Sequence, residues 1–154
     1  MNWLNIIKND KSKVDDFIAL YTKEYEEAKN DIKITGNLIG VAQKMPMLFE
    51  KRYAQFEDIN SIVDLLETDL KQIRSKHFKT YNEHYARTLS SRDIEKYIDG
   101  EVDVVDGSIL LNSVVLLRNK FAGITKALDS KQYQISNIVK LKVAGLDDSD
   151  IGMY

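Results

Sequence analysis

A single proline, Pro46, and no glycine between Gly40 and Gly100 restrict this chain more than any other feature. Sheets of short strands need turn residues about every 8–12 positions. From 47 to 99 the chain has neither residue, so it offers few tight reversals and predicts long helices. Leu, Ile, Lys, Glu, Asp and Ala dominate the interval, which also suits helix. The 154 residues fit one domain and are 44% hydrophobic and 30% charged, so a folded chain with a real core is expected. The formal charge of −2 means that any anionic partner must be held by a local patch. Cysteine is absent, which excludes disulfides, thiolate metal sites and a thiol nucleophile, and fits a reducing compartment. Apolar runs reach about four residues, far short of the ~18–20 that span a bilayer. Residues 1–8 lack a charged leader region and a long apolar stretch, so no signal peptide and no membrane association are expected.

Apolar spacing places the helices. Ser12-Lys13-Val14-Asp15 has the form of a capping box and opens a first helix through Phe17, Ile18, Leu20, Tyr21 and Tyr25, ending near Gly36 or Gly40. A second helix is expected to start at Pro46, a residue tolerated in a first turn. Phe56, Ile59, Val63, Leu66, Leu70, Ile73 and His77 then recur at alternating spacings of three and four, a heptad stripe. Such a helix, reaching Tyr85, needs another long helix to pack on, in the same chain or a second copy. Ser90-Ser91-Arg92-Asp93 is another capping box, and a short helix over 92–99 closes at Gly100. Leu110, Val114, Leu117, Phe121, Ile124 and Leu128 form a second stripe, widened by Leu111, Val115 and Ala122. The step at 129–131 is expected to turn the chain into a last helix over 132–144, with Tyr133, Ile135, Ile138, Val139 and Val143 as its apolar set and Gly145 as terminator. The expected fold is therefore all-α, with long helices and a C-terminal antiparallel helical hairpin. The hairpin's apolar surface is wider than one intramolecular neighbour needs, so it is expected to drive homo-oligomerisation. Four regions follow: an N-terminal helical segment (1–44), a long helix (45–89), an acidic linker with oligomerisation helices (90–146) and an acidic tail (147–154).

Charge is uneven. Residues 71–87 carry Lys71, Arg74, Lys76, Lys79 and Arg87 against Glu83 alone, with both histidines, His77 and His84. Phe78, Tyr81 and Tyr85 are interleaved, and Arg74, Phe78, Tyr81 and Tyr85 share a helix face. Cations for phosphates beside rings for bases are the ingredients of a single-strand platform. The competing reading makes the aromatics core and the lysines a solvated rim. A second basic region, Arg118, Lys120, Lys126, Lys131, Lys140 and Lys142, is opposed by Asp129 and reads equally as solvent faces. Between them Asp93, Glu95, Asp99, Glu101, Asp103 and Asp106 face only Lys96. This acidic linker either repels DNA or meets a basic patch on a neighbouring subunit. It lacks the glycine position and closing glutamate of a calcium loop, so no metal and no cofactor are expected. Phosphate-loop, H-E-x-x-H and G-x-S-x-G motifs are absent, and no catalytic activity is expected.

In the order of its blocks, 46–145 resembles the UvsY family, recombination mediators of T-even-like tailed phages. The blocks are Met45-Pro46-Met47-Leu48, the stretch from Leu66 to Arg74, Phe78-Lys79-Thr80-Tyr81-Asn82-Glu83-His84-Tyr85, the run from Tyr97 to Val105, and the run from Ile124 to Ile135 followed by Ile138 and Gly145. The resemblance implies a small α-rich protein that forms hexameric or heptameric rings through its C-terminal helices. It implies single-stranded DNA binding, displacement of the phage single-strand-binding protein, and loading of a RecA-like recombinase of the UvsX type, in DNA recombination, repair and replication within the cytoplasm of the infected host. The family's DNA-binding lysine maps to Lys79, its paired-tyrosine place to His84 and Tyr85, and a basic loop residue to Lys131. The family's arginine position holds Tyr81.

The expected nucleic-acid-binding set is Lys71, Arg74, Lys76, His77, Lys79, Tyr81, His84, Tyr85, Arg87 and Lys131. The expected oligomerisation set is Leu110, Val114, Leu117, Phe121, Ile124, Leu128, Tyr133, Ile135 and Ile138. Two other readings fit the same residues: a structural or adaptor helical protein whose basic patch is incidental, and a phage-encoded inhibitor of a host protein whose acidic segments mimic nucleic acid.

Overall fold

The computed structural model describes residues 2–85 and 88–146. Every regular element among them is helical: α1 (Trp3–Asn9), a 3-10 turn (Lys11–Lys13), α2 (Val14–Asp31), α3 (Leu38–His84), α4 (Ser91–Asp99) and α5 (Val102–Val143). The all-α expectation is met. The expected tail lies outside the described residues.

Two compact units divide these elements, Met1–Val14 with Asp58–Leu116 and Asp15–Glu57 with Leu117–Tyr154, so far as those residues are described. Both α3 and α5 contribute one part to each unit. In the first, Ile94, Ile98 and Val104 form a buried cluster, covered by Leu70, Ile73, Phe78, Tyr81 and Leu89. In the second, Ala28 of α2, Met45 of α3 and Ile124, Leu128 and Ile135 of α5 form another. Phe17 and Tyr21 have ring centroids 4.5 Å apart, and the Tyr21 ring meets Phe121 edge-on at 5.8 Å. Ile59, Val63 and Leu66 of the first predicted stripe are buried, and Leu70 and Ile73 are half-buried.

Local chemistry sets the helix ends. Ser90 caps α4 by accepting from the Asp93 backbone N–H at 3.2 Å, as its sequence predicts. The other predicted capping box is displaced. Asp10, rather than Ser12, accepts a backbone N–H, that of Ser12 at 3.0 Å, while the Ser12 hydroxyl donates to it at 2.7 Å. These bonds hold the Asp10 carboxyl below the usual carboxylate range. A short helix, α1, precedes it that apolar spacing did not reveal. α2 ends at Asp31, before Gly36, whose φ of 88° suits only glycine comfortably. Asn37 then accepts from the Ile39 N–H at 2.9 Å and starts α3.

Two expectations about long helices are corrected. α3 begins at Leu38, not at Pro46, and Pro46 lies inside it. An interior proline removes one helical hydrogen bond and costs about 3 kcal/mol. Packing offsets it, because Met45 is buried in the second unit's cluster with Leu38, Val41 and Phe49 at its margin. The predicted turn at 129–131 does not form either: α5 runs unbroken to Val143, so the two predicted arms of the C-terminal hairpin are one continuous helix. Residues 129–131 contain no helix breaker, and Leu128, Lys131 and Ile135 continue the buried face at spacings of three and four. The Lys131 ammonium donates to the Asp31 carbonyl at 2.6 Å, at the end of α2.

Candidate functional site

The last turns of α3 lie against α4 and the start of α5, and that packing decides which predicted cations are available. Arg74 donates from one terminal nitrogen to Asp99 at 2.8 Å and from the other to Glu95 at 2.5 Å. The bonds to Asp99 and then Glu95 raise its guanidinium pKa further. His77 Nε2 lies 2.8 and 2.9 Å from the two oxygens of Asp103. The Tyr81 hydroxyl donates to Glu101 at 2.5 Å. That bond, with desolvation, pushes the phenol up to about 12. Positions 74, 77 and 81 share one face of α3, and Glu95 and Asp99 share one face of α4. Four of the six acidic residues expected to repel DNA or meet a neighbouring subunit, Glu95, Asp99, Glu101 and Asp103, therefore fold onto the Arg74–His77–Tyr81 face of their own chain.

Three lysines of the predicted set stay available. Lys71 and Lys76 are exposed, with no ion-pair or hydrogen-bond partner among the described residues. Lys79 is exposed and has Glu83 only at 4.0 Å. His84 and Tyr85 are exposed at the end of α3, and Arg87 lies outside the described residues. Phe78 is half-buried against the Ile94 cluster, so its ring belongs to the core. Lys131 is a further correction. It is buried in the second unit, its ammonium is spent on the Asp31 carbonyl, and burial pulls its pKa down.

One residue of the candidate site escaped the reading of binding residues from the sequence. Tyr97 of α4 stacks with Tyr81 at 5.7 Å and 20°, and with Tyr85 at 6.4 Å and 25°. Tyr81 and Tyr85 are 5.6 Å apart. Tyr85 and Tyr97 remain about half exposed. The available signal was helical phase: Ile94 and Ile98 mark the buried face of α4, and Tyr97 sits at its margin. Nothing in the sequence says that this margin meets Tyr81.

The predicted oligomerisation stripe is largely internal. Val114, Leu117, Phe121, Ile124, Leu128 and Ile135 are buried within the single chain, whereas Leu110 and Ile138 are half-buried and Tyr133 is exposed. A different face of α5 is open: Val102, Val105, Ile109 and Leu116, spaced by three, four and seven, with Asn112 in the gap. The donor atoms of His77, Glu101 and Asp103 lie within 4.8 Å of one another, close enough for these three to hold a divalent cation. No helix among the described residues is long and apolar enough to cross a membrane.

No family model and no curated protein matches the chain. Among solved structures, it is similar to the bacteriophage T4 recombination mediator protein UvsY, with a TM-score of 0.70 at 19% identity, over 81% of this chain and 98% of that one. The fold is thus UvsY-like.

Proposed function

We propose that this chain is a recombination mediator that binds single-stranded DNA as a homo-oligomer, remodels the complex that DNA makes with its single-strand-binding protein, and promotes loading of a RecA-like recombinase in the infected bacterial cytoplasm. The UvsY-like fold supports the general role. The observation that supports the DNA-binding part is the tyrosine stack Tyr81–Tyr97–Tyr85 at the end of α3, the helix whose same last turns carry the exposed Lys76 and Lys79 on another face. Stacking contributes roughly 1–3 kcal/mol per base and tolerates any sequence. Lysines neutralise phosphates without reading bases. A few cations on one subunit give weak binding. A ring of six or seven subunits links such sites and raises avidity by about 10²–10⁴ where the strand can reach several at once. One strand cannot follow two paths, so a strand bound along the ring is strained away from a competing protein. This uses binding energy alone and needs no catalytic residue and no cofactor.

The test is charge removal. Lys76→Ala with Lys79→Ala is expected to weaken oligo-dT binding and to flatten its salt dependence by about 1.4, at about 0.7 per lost phosphate contact. Unchanged affinity at low salt defeats this assignment. Assembly is tested on the open face of α5. Ile109→Asp with Leu116→Asp is expected to lower the native mass of the particle while leaving the helical circular dichroism spectrum intact. Aspartate at the buried Leu117 or Phe121 unfolds the subunit instead and says nothing about assembly.

A further inference from the structure

We infer that the acidic corner formed by Glu95, Asp99, Glu101 and Asp103 is a built-in competitor for the DNA strand, holding Arg74, His77 and Tyr81 in the place a phosphate backbone would take. The inference rests on the single-stranded DNA reading above and names how that site is regulated.

Three observations carry it. First, the carboxylates use the donor groups that an anionic strand would use: both arms of the Arg74 guanidinium, the His77 ring nitrogen and the Tyr81 hydroxyl. Guanidinium binds carboxylate and phosphate through the same planar fork, so one can replace the other. Second, the pairs are open to solvent. The carboxylate side chains of Glu95, Asp99 and Asp103 are each more than half exposed, which places their bonds in the range of exposed ion pairs that contribute little to stability. Third, the corner stays in place without them. Ile94, Ile98 and Val104 carry α4 and the start of α5 onto α3 through a buried apolar cluster. Exchange of carboxylate for phosphate therefore breaks surface bonds and leaves the packing intact.

The corner thus weakens strand binding in two ways. It removes Arg74 from the pool of free cations and sets carboxylates along the Arg74–His77–Tyr81 face, with Glu101 bonded to a tyrosine of the stack itself. Strand contacts begin on Lys71, Lys76 and Lys79, and Arg74 is recruited only where many phosphates press together, as on an assembled ring.

The test compares the full-length wild type with Glu95→Gln/Asp99→Asn by oligo-dT anisotropy across a salt series, with circular dichroism as a check on folding. The variant is expected to bind about tenfold more tightly at low salt, with a slope steeper by about 0.7 from one added phosphate contact. Adding Arg74→Ala to the variant is expected to return the salt slope to the wild-type value and to remove most of the gain, because the added phosphate contact is Arg74 set free and the two lost carboxylates supply only the remainder. A folded variant that binds no better than wild type overturns the latch and leaves the DNA-binding reading standing. Binding by the variant but not by wild type upholds the latch in its strongest form. Binding by neither overturns both. If the double variant fails to fold, Asp99→Asn alone, which keeps Glu95 on Arg74, is read by the same criteria with a smaller gain.

Discussion

Arg52 and Arg74 stand on the same helix, each between two carboxylates, and the two sites differ in almost every physical respect. Arg52, in the second unit, is 2% exposed. Its Nε donates to Asp31 at 2.8 Å, and one terminal nitrogen donates to Glu24 at 2.9 Å and to Gln55 at 2.8 Å. Gln55 donates in turn to Glu24 at 2.9 Å, and this bond leads the causes that hold the Glu24 carboxyl below its usual range. Asp31 also offers its backbone carbonyl to Lys131, so α2, α3 and α5 are tied at one place. No buried side-chain polar atom among the described residues is left without a partner. Arg74, in the first unit, is about a third exposed, and its partners are more exposed still. A charge taken out of water must keep its partners, whereas one left at the surface can exchange them. The first arrangement holds a fold together and the second leaves a cation recoverable by a ligand.

The contrast is open to direct attack. Arg52→Ala strands Glu24 and Asp31 and is expected to cost about 3 kcal/mol in urea unfolding, near the low end for breaking a buried pair because both acids keep some solvent. The loss has a pH signature. The folded pKa of Glu24 lies below its ordinary 4.5, so its contribution is complete above that value and disappears as pH falls through the folded pKa. The gap between wild type and Arg52→Ala is therefore expected to narrow in acid, and a constant gap would remove Glu24 from the account. Arg74→Ala is expected to change stability by less than about 1 kcal/mol. A loss as large as that at Arg52 would make the Arg74 cluster structural. The smallest signal is spectroscopic. In a tyrosinate absorbance titration Tyr81 is expected to ionise near 12, and Glu101→Ala is expected to return it toward 10. For a phenol with a raised folded pKa, the associated stability is present below about 10 and is lost as pH rises toward 12.

Much of the fold was legible because helices are written locally. The lack of turn residues, the stripe through Ile59, Val63 and Leu66, and the Ser90 cap each depend on neighbours a few positions away. The errors arose where distant packing overruled local cues. Pro46 reads as a helix start, yet Met45 is buried deeply enough to carry the helix through it. Asp129 and Ser130 read as a turn, yet Lys131 and Ile135 are held on the buried face. In the candidate site, Lys76, Lys79, Tyr81 and Tyr85 were visible as a basic, aromatic segment. The stack with Tyr97 and the capture of Arg74 by Glu95 and Asp99 join α3 to α4 across a break in the helix, which no spacing rule encodes.

The sequence by itself determined that the chain is helical, where α4 is capped, and which residues share each helix face, because those properties follow from 3.6-residue periodicity and from side chains bonding nearby backbone. Only the tertiary structure decided which faces are covered. It spent the Val114–Leu128 stripe on the chain's own interior, left Val102, Val105, Ile109 and Leu116 open, and set an acidic corner against a basic helix. Burial and charge pairing depend on what the returning chain brings within a few ångströms, and a linear pattern carries no record of that.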